Sequence, residues 1–112
     1  MSVLKFVEST PEIVREGLER RNIYTSNLMT VIVDFTDGPW AEAEPFHSHP
    51  HEQTCYLASG EIIFYCEGEP DQHLQAGDMF AVASGKKHTV KILSATARLI
   101  DSINPIRQEF IR

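Results

Sequence analysis

Three of the chain's five histidines fall in the stretch HSHPHEQTCYLASG, residues 47–60, and imidazoles at this spacing are the raw material of a metal centre. In extended backbone, alternate side chains share a face at about 3.3 Å per residue, so His47 and His49 point the same way about 7 Å apart. Pro50 cannot donate to a strand ladder and favours a turn, which lets the chain return with His51, Glu52 or Gln53 near the same point. A third donor is therefore available from the same segment. Neutral imidazoles with one oxygen donor suit a borderline divalent ion such as Zn, Ni, Fe(II), Mn or Co. Further along, His88 follows the turn residues Ser84-Gly85-Lys86-Lys87, so one more imidazole is delivered at the start of a strand.

The elements that position these residues read as short strands. Leu28 to Phe35 (LMTVIVDF) is rich in β-branched and aromatic residues and is closed by the turn chemistry of TDGP. Met1 to Thr10 allows a short strand, and residues 12–24 read as strands with an irregular join at Gly17 rather than as a helix. Trp40 to Pro45 reads as an exposed loop leading into the histidines. Gln53 to Ala58 and Glu61 to Glu67 flank a Ser59-Gly60 turn and predict a hairpin, and GEPD at 68–71 predicts a second one. MFAVA, HTVKIL and ATARLIDSI supply three more strands, while PIRQEFIR suits a last strand or a short helical tail equally. Eight or more short strands with turns every 8 to 12 residues predict an all-β antiparallel sandwich or barrel.

A chain of 112 residues gives one domain over residues 1–112, with one core. Ten basic against sixteen acidic residues leave a net charge of −6, which disfavours the phosphate-neutralising surface that nucleic-acid binding needs. A small-molecule partner is expected instead. No apolar run approaches the roughly 18 residues of a membrane span, and the N-terminus lacks the pattern of a secretory signal, so the expectation is a cytoplasmic protein without a membrane partner. Cys55 and Cys66 have neither knuckle nor disulfide-framework spacing and read as reduced, packed thiols.

Taken together, His47-x-His49-xxx-Gln53-(x)6-Gly60 and Gly77-(x)5-Ala83-x-Gly85-xx-His88 resemble the two sequence motifs of the cupin superfamily, G(x)5HxH(x)3-4E(x)6G and G(x)5PxG(x)2H(x)3N. That resemblance implies a cupin-type antiparallel β-barrel (a jelly roll, or double-stranded β-helix) and a metal held by His47, His49, Gln53 and His88. Gln53 stands where the motif has glutamate, Ala83 replaces its proline, Ile92 replaces its asparagine, and Gly38 is too far from His47 to open the first motif. Replacing a carboxylate by a neutral amide leaves the cation's full double charge on the site, which strengthens it as a Lewis acid toward an anionic ligand. Glu52 is expected to orient a ligand histidine from outside the ligand set.

From about Gly17 to Ile111 the chain is also similar to the small pectin-degradation cupins, through HSHPHEQ, the Y-L-x-S-G-E segment and the ending from Asp101 to Arg107. The family ending D-x-F-x-P-x-R is matched by Asp101 and Arg107, with Ile103 where an aromatic is usual. This similarity implies an enzyme that converts 4,5-unsaturated uronates, released by pectate and alginate lyases, to linear ketouronates. Asp101 would move the proton and Arg107 would pair with the sugar-acid carboxylate. Strand parity places Leu99, Asp101 and Ile103 on one face, so Asp101 should point inward. An Fe(II) cupin dioxygenase and a non-catalytic metabolite- or sugar-binding cupin are the alternative readings. A homodimer is expected, with the terminal segments covering exposed sheet edges.

Overall fold

The structure is a computed structural model that describes residues 2–111. Nine antiparallel strands form two facing sheets. They are β1 (Glu12–Arg15), β2 (Leu18–Tyr24), β3 (Met29–Phe35), β4 (Glu52–Ser59), β5 (Glu61–Cys66), β6 (Gln72–Gln75), β7 (Met79–Val82), β8 (His88–Ile92) and β9 (Ala97–Asn104). The larger sheet runs β1-β2-β3-β9-β4-β7 and the smaller β6-β5-β8. This is the cupin jelly roll expected from the motifs.

Alternation within the strands builds the core. In β3 Met29, Val31 and Phe35 are buried, with Thr30, Ile32 and Asp34 on the other face. In β9 Ala97, Leu99 and Ile103 take the same inward parity, which places Asp101 among them. Leu57 from the larger sheet and Ile62 and Ile92 from the smaller are fully buried and join in one cluster with Phe35 and Leu99. The join at Gly17 lies between β1 and β2, and the C-terminal tail is a single 3-10 turn, Gln108–Phe110, whose Phe110 caps a second cluster with Met29, Val31 and Ile103.

Two expectations are corrected. β4 and β5 do not pair as a hairpin: β4 lies between β9 and β7, and β5 between β6 and β8. The chain crosses from one sheet to the other at Gly60, whose φ is +91° and where a Cβ would come within 2.6 Å of the Thr96 carbonyl oxygen. The described part of the first ten residues holds no strand. It makes a 3-10 turn at Phe6–Glu8, with the Phe6 ring under the guanidinium groups of Arg21 and Arg98 at 4.0 and 4.7 Å; Met1 lies outside the described residues.

The loop after β3 matters most for function. It runs along β8, with Trp40 N–H donating to the Ile92 carbonyl at 2.9 Å and Glu44 N–H to Val90 at 3.3 Å. At its end, His47 and His88 exchange backbone hydrogen bonds in both directions, at 3.1 and 2.9 Å. The loop thus acts as an added edge of the smaller sheet and fixes one histidine beside another.

Candidate metal centre

The backbone bridge holds the His47 and His88 rings 4.3 Å apart between centroids. His49 is brought to the same point by its spacing from His47, and the Gly85 N–H holds its carbonyl at 2.9 Å. One ring nitrogen from each of His47, His49 and His88 then lies within 4.8 Å of the other two, so three histidines are positioned for metal binding. The bend at Pro50 returns the chain into β4, where Gln53 Oε1 stands 3.0 Å from His49 Nε2.

Backbone carbonyls set the tautomers. His49 Nδ1 is 2.9 Å from the His51 carbonyl and His88 Nδ1 is 2.9 Å from the Lys86 carbonyl, so both protons reside on Nδ1 and both Nε2 atoms keep a bare lone pair. Burial first, and then the neighbouring imidazoles, hold His47 and His88 below the usual histidine value, so both rings stay neutral. Glu52, by contrast, is exposed on β4, and the orienting role expected of it is taken by these carbonyls.

The contact between His49 and Gln53 tests whether a metal fits. With its proton at Nδ1, His49 Nε2 is an acceptor, and the Gln53 atom that faces it is the amide oxygen. Two acceptors 3.0 Å apart repel unless a cation lies between their lone pairs. Two donors each about 2.1 Å from an ion, at a right angle to one another, stand about 3 Å apart. The donor set of three neutral imidazoles and one amide oxygen suits a divalent ion of the borderline class.

His51 is the residue whose part was hardest to foresee. Rather than turning toward the cluster, its ring stacks on His49 at 3.8 Å and 9°, fixing the plane of that ligand, while its Nε2 is buried without a hydrogen-bond partner. Burial, aided by His49 and Arg107, lowers its pKa to about 4. The sequence offers no signal for this stack beyond the spacing itself.

Two openings flank the histidines. One is a cavity of about 300 Å³ inside the barrel, with His47, His88, Gln53 and Asp101 at its polar end and Phe35, Trp40 and Phe80 among its apolar walls. Asp101 retains some exposure there, yet its Oδ1 is shut off and unpartnered. Burial pushes its carboxyl above the usual carboxylate value against the opposing hydrogen bonds from Cys55 and Gln53. The other opening is a groove of about 360 Å³ lined by Ser48, His49, His51, Arg107 and Glu109. Arg107 lies here rather than in the cavity, ion-paired with Glu109 and over the Phe110 ring at 4.4 Å. The structure thus brings Gln53 and Asp101 to the histidine cluster and sets Arg107 beside it, across His49.

Elemental analysis of untagged protein should find one divalent ion per chain, and His47→Ala/His49→Ala should abolish it; stoichiometric metal in that variant would refute the ligand set. His51 gives a pH prediction for the metal-free protein. As pH falls, the unfolded chain takes up a proton at the ordinary value of 6.5, whereas the folded ring resists to about 4. Stability is therefore lost progressively through that window and levels off below it. Thermal midpoints should fall less steeply with acid in His51→Phe, which keeps a stackable ring, than in the wild type. Parallel slopes would clear His51 of the effect.

Comparison with known proteins agrees with this geometry. The Cupin domain family model matches residues 34–103, which contain both histidine motifs. The chain is 32% identical over 106 residues to the pectin degradation protein KdgF of Dickeya dadantii, covering 93% of this chain and 94% of that one. The structure of KdgF from a Halomonas species superposes with a TM-score of 0.87 at 28% identity, over 98% of this chain and 100% of that one. An RmlC-like cupin from Shewanella frigidimarina gives the same TM-score of 0.87 at 28% identity, over 99% and 96% of the two chains. By motif, fold and overall similarity, this chain belongs to the cupin family and is a homologue of the pectin degradation protein KdgF.

Proposed function

We propose that the protein is a metal-dependent enzyme that opens 4,5-unsaturated uronates, from pectin or alginate breakdown, to linear ketouronates. The similarity to KdgF supports the substrate class, because that relative is a pectin degradation protein. The observation that carries the chemistry is Asp101: a carboxyl raised by burial, hydrogen-bonded to Gln53 and lining the same cavity as His47 and His88.

Opening the ring breaks the bond between C1 and the ring oxygen, leaves an aldehyde at C1 and develops negative charge on the former ring oxygen. Protonation at C4 then completes the ketone, so the reaction is a net isomerisation. A divalent ion held by His47, His49, His88 and Gln53 supplies Lewis acidity, undiminished by a ligand carboxylate. Asp101, whose proton affinity is raised by burial, takes the proton of the anomeric hydroxyl as the ring opens and delivers it to C4, so it ends as it began. The apolar walls of the cavity keep water from competing for that proton. Arg107, in the neighbouring groove, receives the sugar-acid carboxylate by exchanging it for Glu109, an exposed partner that costs little to displace.

Asp101→Asn preserves shape but removes the ionisable group, and should lower turnover by roughly 10²-fold to 10⁴-fold at equal metal content. Loss of the conjugated double bond of unsaturated galacturonate reports the rate. Equal rates would remove Asp101 from the mechanism, and no turnover by metal-loaded wild type would reject the uronate reading. We also propose a homodimer, since β1 and β7 are open edges of the larger sheet and carry the exposed Ile13 and Met79. A monomeric mass by light scattering at micromolar concentration would contradict it.

A further inference from the structure

Cys55 has no part in the chemistry above, yet it occupies an unusual place. It lies directly opposite Asp101 in the β4–β9 ladder, so the two side chains leave the sheet on the same face, toward the barrel interior. Gln53, two residues away on β4, shares that face. Cys55 is 2% exposed, forms no disulfide and is held as a thiol by burial and then by the adjacent carboxyl. It is therefore an S–H donor with an acceptor in front of it.

A carboxyl group turns easily about its last torsion, and the interior here offers Asp101 few polar contacts to stop it: one oxygen has none. Its hydrogen-bonding neighbours are the Cys55 thiol and the Gln53 amide. The amide oxygen faces His49 Nε2 at 3.0 Å, and the same amide neighbours Asp101. Packing alone would be served as well by alanine or valine at position 55.

We propose that Cys55 is a positioning residue, whose S–H anchors the Asp101 carboxyl from across the ladder so that Asp101 in turn holds the Gln53 oxygen toward the histidines. The proposal rests on the reaction proposed above only for its kinetic consequence. The thiol fixes the carboxyl, the carboxyl fixes the amide, and the amide presents an oxygen instead of a nitrogen to the ion.

Two measurements test this on the intact, metal-loaded protein. In kinetics, Cys55→Ala should lower kcat roughly 10-fold to 100-fold, the usual worth of a residue supporting a metal ligand. KM should stay unchanged, and Cys55→Ser, which keeps a donor, should recover most of the loss. Equal losses in the alanine and serine variants, or none in alanine, would overturn the proposal. The second measurement needs no substrate: the infrared S–H stretch of Cys55, with the Cys66 band as internal reference. In Asp101→Leu the Cys55 band should move to the higher frequency of an unbonded thiol while the Cys66 band stays. A stationary Cys55 band overturns the proposal whatever the activity. A moving band in a protein whose wild type does not turn over uronate supports the Cys55 anchor and rejects the substrate alone.

Discussion

A protonated imidazole offers no lone pair, so a three-histidine centre exists only where the fold keeps protons off the rings and turns their bare nitrogens inward. Both conditions are met here by backbone and burial rather than by charged partners. The His51 and Lys86 carbonyls engage one nitrogen of the His49 and His88 rings, and partial burial lowers the proton affinity of His47 and His88. The two-way backbone bridge between His47 and His88 is the mechanical basis of this arrangement. It ties the loop after β3 to the first residue of β8 and so brings the two rings together.

The fourth position extends that logic to the larger sheet. Gln53 on β4 is aligned by Asp101 on β9, and β4 and β9 are neighbours along most of their length. A glutamate at this position would partly neutralise the ion and would also face Asp101 as a second carboxyl, raising the cost of burying either charge. The glutamine avoids both effects and lets the buried carboxyl accept a hydrogen bond from it. In the proposed centre, that one substitution relative to the family motif would leave the cation's charge undiminished and would ease the burial of Asp101.

Much of this was legible in the sequence because the ligand spacings are local. His47 and His49 are two residues apart, Pro50 turns the chain, and Gly85 places the turn before His88, all features that short-range backbone rules can read. The inward parity of Asp101 followed from simple alternation in β9. The Ser59-Gly60 turn misled because a glycine with positive φ serves a hairpin and a crossing between sheets equally well, and the choice depends on Thr96, distant in sequence. The N-terminal residues misled similarly, since Phe6 is held by Arg21 and Arg98 rather than by strand pairing. The carbonyls that orient the histidines left no signal at all, because every residue has one. Glu52 drew attention only by being a carboxylate next to the motif.

The centre itself can be examined most directly by X-ray absorption spectroscopy of protein loaded with one equivalent of zinc or nickel. The structure predicts a shell of nitrogen and oxygen donors alone, at about 2.0 to 2.2 Å, with the outer-shell scattering of three imidazoles. Fewer than three imidazoles, or a sulfur donor at about 2.3 Å drawn from Cys55, would contradict the account.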